Sequence, residues 1–313
     1  MIVTFLFKFQ KMKKVLVVLF VLFSLKSVAC LNGETKTLAN GLTLYEDFEG
    51  MILRGHDFFT IEFEKVFNEL DSLYNKTKKI EYLSDKGYLL VIQGKYQDAL
   101  NLYLDIEKTH PNRYSTASNL GTIYELIGDN LNALKWIKKS VAISPDSHSG
   151  SEWLHIKILE AKMNPNMISS EFFTKTSFGN FDMPVSDLSW DKTEKLSKSI
   201  YYQLNERISF IKSEDPIIAL LLFELGNLAM LESEFLQANQ IFKMAKDYGY
   251  QSVLLEKRIS FINGYLANKK ENHKTETIYT TKVNYEKTAL LIISILLILI
   301  GLYFLIKKSR VAN

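Results

Sequence analysis

Two consecutive segments decide the fold of this chain: IEYLSDKGYLLVIQGKYQDALNLYLDIEKTHPNR at residues 80–113 and YSTASNLGTIYELIGDNLNALKWIKKSVAISPDS at residues 114–147. Four landmarks recur with a spacing of 34 residues: Gly87 and Gly121, Gly94 and Gly128, Ala99 and Ala133, Pro111 and Pro145. A fixed period of this length is typical of helix-turn-helix units that stack side by side. The two segments therefore predict a helical-repeat protein.

Each landmark has a physical role within its unit. Gly87 and Gly121 leave a gap on the first helix that lets the second helix approach, although glycine costs about 1 kcal/mol against alanine in a helix. Gly94 and Gly128 suit the turn between the helices, because glycine tolerates the left-handed conformation that ends a helix. The small alanines again permit close contact, and the prolines stop the second helix.

The landmarks resemble those of the tetratricopeptide repeat family, whose order of leucine-glycine, tyrosine, alanine and proline is followed in the second segment by Asn119, Leu120, Gly121, Tyr124, Ala133 and Pro145. A third copy comes later in the chain, with Leu225, Gly226, Ala229 in place of the family's tyrosine, Phe235, Ala238, Phe242 and Ala245. It departs from the family at its end, where Asp247-Tyr248-Gly249 replaces the proline turn. The resemblance implies an all-α fold, a tetratricopeptide-type helix-turn-helix superhelix.

In this family the first helix of each unit lines a concave groove. The resemblance therefore implies that nine residues are exposed in the groove and bind a partner: Ser84, Tyr88, Val91, Ser118, Thr122, Glu125, Phe223, Asn227 and Met230. Some members clamp a peptide carboxylate with a lysine and an asparagine, and both are missing from the first two copies. Recognition of a free carboxyl terminus is therefore not supported.

The pattern divides the chain into segments with different roles. Residues 1–29 are a signal peptide, 30–78 a lead-in with a helix from about Asp57 to Asn75, and 79–147 the two tetratricopeptide units. Residues 148–218 hold degenerate helices and a long loop, 219–250 the third clear unit, and 251–267 a capping helix. Residues 268–287 are a polar tether, 288–306 a transmembrane helix, and 307–313 a short cytoplasmic tail.

The amino-terminal segment has the features of a secretory signal. Lysines precede the apolar run from Val15 to Leu25, and Ser27-Val28-Ala29 offers small residues for cleavage. Met12 is an alternative start to Met1, and an uncleaved membrane anchor is the alternative to a signal. Cys30 is the only cysteine, so an internal disulfide is excluded, and its position after Ala29 raises the alternative of lipidation.

The run from Thr288 to Ile306 contains 19 residues without a charge. As a helix it spans about 28 Å, at about 1.5 Å per residue, which is enough to cross a bilayer core. The lysines and arginines on its two flanks are about equal in number, so they do not set the orientation. An exported amino terminus places the repeats on the periplasmic side, whereas failure of the first apolar run to insert leaves a tail-anchored protein facing the cytoplasm.

The sequence offers little for catalysis or cofactors. Its five histidines, His56, His110, His148, His155 and His273, show no zinc spacing, and there is no phosphate-binding glycine loop. The net charge of +3 and the alternation of lysines with acids do not favour nucleic-acid binding. We therefore expect a non-catalytic scaffold without cofactor or metal, which holds an envelope protein or peptide on its concave face. The alternative is an envelope enzyme, or an enzyme subunit, that uses the repeats as a scaffold.

Overall fold

The computed structural model describes residues 36–46 and 53–269, and this part is mostly helical, as predicted. Two short strands, β1 (Tyr45–Glu46) and β2 (Asp57–Phe58), pair antiparallel. The helices that follow are α1 (Phe63–Thr77), α2 (Glu81–Ile92), α3 (Tyr96–Thr109), α4 (Tyr114–Leu126), α5 (Asn130–Ile143), α6 (Ser147–Gly150), α7 (Glu152–Met163), α8 (Ser170–Thr174), α9 (Trp190–Phe210), α10 (Pro216–Leu231) and α11 (Phe235–Asp247). A 3-10 turn covers Pro165–Met167, and residues 253–269 are helical. The described residues up to 255 belong to one compact unit, which contains the repeats, and the described residues from 256 onwards belong to a second unit.

Three helical hairpins, α2–α3, α4–α5 and α10–α11, share one internal contact. In each hairpin a glycine of the first helix faces a large side chain that comes 16 residues later on the second helix. A Cβ atom added to the glycine would lie far inside van der Waals distance of that side chain: 2.6 Å for Gly87 and Tyr103, 2.4 Å for Gly121 and Ile137, 2.3 Å for Gly226 and Phe242. Only glycine fits without a shift of these side chains, so the predicted role of Gly87 and Gly121 is confirmed, and Gly226 has the same role in the third copy.

The turns of the three hairpins also repeat. A residue with positive φ stands seven residues after each packing glycine: Gly94 at 73°, Gly128 at 85° and Ser233 at 63°. In each turn this residue's N–H donates to the carbonyl three residues back, and the next N–H donates to the carbonyl five residues back. The second bond is that of a Schellman motif, which satisfies carbonyls at the helix end. Ser233 adopts the same turn conformation although it is not glycine, so the turn does not require a glycine at this position.

A buried hydrogen-bond network joins the first hairpin to the second. The Tyr103 hydroxyl of α3 donates to the Ser84 carbonyl of α2 at 2.6 Å and accepts from the Asn119 amide of α4 at 2.7 Å. Tyr103 is fully buried, so its polar hydroxyl needs these partners. The ring passes over Gly87, and the same side chain therefore fixes both the helix pairing and the stacking of the repeats.

The lead-in differs from the prediction. The helix expected from about Asp57 to Asn75 begins only at Phe63, because Asp57 and Phe58 pair as a strand with residues 45 and 46. The apolar residues Leu38, Leu44 and Tyr45 of this lead-in are buried in one core with residues of α1, α2 and α3. The lead-in is thus part of the folded domain rather than a linker.

The region between the second and third hairpins forms helices of unequal length. Helix α7 begins at Glu152. The short helix α8 interrupts the long loop predicted within residues 148–218, and the irregular connection covers 175–189. Pro216 is the first residue of α10, where a missing N–H costs nothing. The Asp215 carboxylate caps this helix by accepting from the N–H groups of residues 217 and 218.

Within the two described ranges, no helix combines the length and the apolar character that a bilayer crossing requires. The predicted signal peptide, Cys30, the run from Thr288 to Ile306 and the tail lie outside the described residues. The helix expected to cap the array extends to residue 269, so the tether predicted from residue 268 overlaps its end.

We expect Ala133→Leu to lower the free energy of unfolding of the purified full-length chain by about 1 to 3 kcal/mol, because a larger side chain overpacks the contact between α4 and α5. Ala133 is fully buried, whereas Ala142 on the same helix is exposed. The matched variant Ala142→Leu should leave the urea midpoint nearly unchanged. Equal midpoints for the two variants would contradict the repeat packing.

Candidate functional site

A cavity of about 250 Å³ lies where α4, α6, α7 and α9 come together. Most of its lining residues are polar or charged: Ser118, Thr122 and Glu125 from α4, His148 from α6, Glu152, His155 and Lys162 from α7, and Gln203, Glu206 and Arg207 from α9. Leu126, Phe210 and Ile211 complete the lining. Helical spacings of three, four and seven residues place each set on one face of its helix.

The Glu125 carboxylate is the centre of this cluster. One oxygen accepts from the Lys162 ammonium at 2.8 Å, and the other lies 2.6 Å from His155 Nε2 and 3.3 Å from Arg207 Nη2. Burial of Glu125 favours its neutral form, yet Arg207, His155 and Lys162 together hold its pKa well below the usual range. Glu125 is therefore ionised and joins α4 to both α7 and α9.

His155 is held between two carboxylates. Its Nε2 faces Glu125, and its Nδ1 lies 3.4 Å from the Glu152 carboxylate. Burial and the neighbouring Arg207 both disfavour a charged ring, but Glu125 and Glu152 outweigh them and raise the pKa of His155. Because an ionised carboxylate accepts hydrogen bonds only, this environment suits the doubly protonated imidazolium.

Glu152 is the second buried carboxylate of the cluster. His148 Nδ1 and His155 Nδ1 both approach it, and its side chain is 2% exposed. Burial opposes the charge of Glu152, but the hydrogen bonds from the two histidines prevail and lower its pKa. Two carboxylates and two imidazoles therefore face one another inside the fold.

Helix α9 is fixed to this face by polar contacts on two sides. Arg207 Nη1 donates to the Gln203 side-chain oxygen at 2.6 Å, and the Gln203 amide donates to Ser151 Oγ at 3.0 Å. On the other side the lead-in approaches α9, where His56 Nε2 lies 2.8 Å from the Glu206 carboxylate. The N–H of His56 also donates to Ser209 Oγ at 2.7 Å. Helix α9 therefore lies between the repeats and the amino-terminal lead-in.

The backbone at the edge of the cavity is strained. His148 and Ser149 have φ values of 53° and 55°, although neither is glycine. The left-handed conformation costs roughly 1 to 2 kcal/mol for each such residue. Strain of this kind persists where surrounding contacts over-determine the conformation, and it clusters at functional sites. Here it turns the chain so that His148 is buried beside Glu152.

The predicted groove residues of the first and third repeats are not exposed. Ser84, Tyr88, Val91, Phe223, Asn227 and Met230 are all buried. Tyr88 belongs to the core that includes the lead-in, and Phe223 stacks on Tyr250 with ring centroids 4.5 Å apart. Asn227 donates to the buried Glu224 at 3.0 Å. The expected exposure of these six residues is wrong, because the chain's own segments pack on that face.

The three predicted residues of the second repeat are brought together around the cavity. Thr122 is half-buried, the side chain of Glu125 is 8% exposed, and Ser118 is buried but lines the cavity wall. The charged partners on α7 and α9 were not predicted as site residues. The 34-residue period contained a signal for two of them, since Glu152 and His155 stand one period after Ser118 and Gly121. An acidic residue in place of serine and a histidine in place of glycine indicate that the repeat is broken at this point.

The chemistry open to this cluster is ion pairing and hydrogen bonding. Imidazole–carboxylate pairs also serve in general acid–base catalysis, but both nitrogens of His155 already face carboxylates. Within the described residues, no group of three or more histidines, cysteines or acids is arranged to hold a metal ion. Lys162 and Arg207 beside the carboxylates would also repel a cation.

Comparisons with known proteins add a distant likeness in structure. No family model matches the sequence, and no curated protein matches it. A solved structure of a tetratricopeptide repeat protein from Parabacteroides merdae is similar to this chain with a TM-score of 0.30 and 15% identity. The match covers 64% of this chain and 92% of that one.

We expect the free energy of unfolding to be greatest at mildly acidic pH. Glu125 and Glu152 have folded pKa values below the ordinary 4.5, so their contribution is present above pH 4.5 and is lost as the pH falls through the lowered values. His155 has a folded pKa above the ordinary 6.5, so its contribution is complete below pH 6.5 and is lost as the pH rises through the raised value. Between pH 4.5 and pH 6.5 all three groups contribute fully to the free energy of unfolding.

Urea unfolding between about pH 4 and about pH 9 measures this dependence. His155→Gln should lower stability overall and flatten the decline above pH 6.5. His110→Gln changes an exposed histidine and should leave the slope of the wild-type chain intact. Parallel declines for wild type and His155→Gln would show that His155 is not the group responsible.

Proposed function

We propose that this chain is a non-catalytic protein–protein interaction scaffold whose helical repeats hold a partner protein at the mouth of the cavity. The observation that carries the proposal is the convergence of Ser118, Thr122 and Glu125 on one opening, while the other predicted groove residues are buried by the chain itself. Repeat arrays of this kind use the face of their first helices for binding. The second repeat is the place where part of that face remains accessible.

The size of the cavity limits how the partner binds. A volume of about 250 Å³ lies below the range of about 300 to 1,000 Å³ that is usual for ligand pockets, so a peptide segment does not fit inside. The partner therefore lies across the mouth. Ile127, the residue after the lining residue Leu126, is 43% exposed and offers apolar contact there.

We expect a photo-crosslinking residue at position 127 to capture one discrete partner in cells, because this exposed position directly follows the lining residue Leu126. The matched control is position 143, where another isoleucine is 37% exposed at the end of α5. Mass spectrometry of the adducts identifies what is captured, and co-purification of that protein in a fixed ratio supports the scaffold. The same adducts at both positions, or none at 127, would overturn the placement of the partner.

We further propose that the scaffold is exported and anchored in the membrane by a single pass at Thr288–Ile306, with an envelope protein as its partner. The support comes from the sequence: a signal-like segment at residues 1–29 and an uncharged run long enough to span a bilayer core. A cleaved signal followed by one crossing places the repeats on the periplasmic side. Cys30 would then be the first residue of the mature chain and a position for lipidation.

Protease added to spheroplasts tests this orientation. We expect cleavage in the polar segment of residues 270–287 from outside the cell, while a cytoplasmic control protein remains whole. Protection of this segment until the membrane is lysed would mean a tail-anchored protein with its repeats in the cytoplasm. The crosslinking experiment at position 127 remains informative in that case, since it does not depend on the compartment.

A further inference from the structure

The cavity exists because the unit that directly follows the second repeat is broken. His155 stands 34 residues after Gly121, at the position where the intact hairpins have the packing glycine. A side chain at that position prevents the close approach of a second helix, and α7 is followed by a 3-10 turn and the five-residue helix α8 instead. Helix α9 then covers the gap incompletely, and polar side chains line the space that is left.

Most of the charges around the cavity are already compensated by neighbouring side chains. Glu125 is paired with three basic groups, and Glu152 lies between two histidines. Arg207 is engaged by Glu125 and by Gln203. These groups hold the structure together. Arg207 Nε and one Glu152 oxygen have no hydrogen-bond partner among the described residues, but both atoms are buried.

Two oppositely charged groups at the mouth do keep capacity. Lys162 gives one of its three ammonium hydrogens to Glu125, and its side chain is 21% exposed. Glu206 accepts at one oxygen from His56 and is 16% exposed, and in the described part of the chain its other oxygen has no hydrogen-bond partner. The hydroxyls of Ser118 and Thr122 also make no hydrogen bond to a described residue. A ligand can therefore meet a free cationic donor, a free anionic acceptor and two hydroxyls in one space.

The rest of the lining is apolar. Leu126, Phe210 and Ile211 are half-buried, so a part of each remains accessible for contact. Apolar walls with a few fixed polar groups are the usual composition of a small-molecule site, in which the polar groups orient the ligand. The volume of about 250 Å³ suits a molecule smaller than a typical drug.

We propose that this cavity binds a small zwitterion of the amino-acid class, with the ligand's carboxylate on Lys162, its ammonium on Glu206 and an apolar side chain against Leu126, Phe210 and Ile211. The ligand needs both charges because a singly charged ligand would leave either the free ammonium hydrogens of Lys162 or the free carboxylate oxygen of Glu206 without a partner in the cavity. The inference goes beyond the proposed scaffold function and does not depend on it, since a ligand inside the cavity and a partner across the mouth are separate occupants.

Isothermal titration of the purified full-length chain tests the proposal without any variant. L-leucine should bind, and glycine should bind at least about tenfold more weakly because it cannot contact the apolar wall. N-acetyl-leucine lacks the ammonium and leucinamide lacks the carboxylate, and each should also lose at least about tenfold in affinity. Absence of binding by leucine, or equal binding by leucine and its blocked analogues, overturns the proposal.

Variants assign the two charges of the ligand. Lys162→Gln should lower the affinity for leucine at least about tenfold and leave the affinity for leucinamide, which has no carboxylate, unchanged. Glu206→Gln should lower the affinity for leucine by a similar factor and leave the affinity for N-acetyl-leucine, which has no ammonium, unchanged. Lys138→Gln, at an exposed lysine of α5, is the matched control and should change neither affinity. Circular dichroism verifies that each variant is folded, and the analogue series remains decisive if one is not.

A partner adduct at position 127 without leucine binding rejects only this inference, and leucine binding without an adduct rejects only the scaffold.

Discussion

The close approach of two helices over a glycine is the interaction on which the rest of this structure depends. Gly87, Gly121 and Gly226 each receive a side chain from the partner helix so closely that a single added carbon would collide with it. Each glycine weakens its own helix by about 1 kcal/mol against alanine, so the packing gained must outweigh that cost. The pairing it permits buries Ala99, Ala133 and Ala238 completely on the second helices. Glycine, large side chain and alanine therefore act as one unit, and the stacking of hairpins follows from it.

The same constraint explains why the regular array stops after the second hairpin. His155 occupies the glycine position of the next unit, so α7 cannot receive a second helix in the same way. The chain leaves the repeat path through α8 and the connection at 175–189 and returns as α9, which is longer than the helices of the hairpins. Because a single helix cannot fill the space of a missing repeat, a cavity remains between α9 and the repeats. The candidate functional site is thus the place where a packing glycine is missing from the repeat pattern.

Buried charges fix α9 in that place. An ion cluster in the interior costs desolvation free energy, and apolar residues of the same volume often give equal or greater stability. Its contribution here is positional, since Arg207 finds its hydrogen-bond partners only when α9 has one register against Glu125 and Gln203. Removing one member would leave the others buried without compensation, and such losses are large. The two left-handed residues of α6 belong to the same arrangement, because they direct His148 towards Glu152.

The sequence by itself determined the helical hairpins, their turns and the residues that pack between them, because each depends on contacts within about one 34-residue unit. It also identified Ser118, Thr122 and Glu125, which the tertiary structure places around a cavity. The strand pairing of the lead-in and the burial of the other predicted groove residues followed from the tertiary structure alone. Glu125 and Arg207 are 82 residues apart, and His56 and Glu206 are 150 apart. Neither pair has a periodic pattern that relates its members. Helical periodicity reports which face of a helix is buried, but which distant segment buries it is decided only when the whole chain packs.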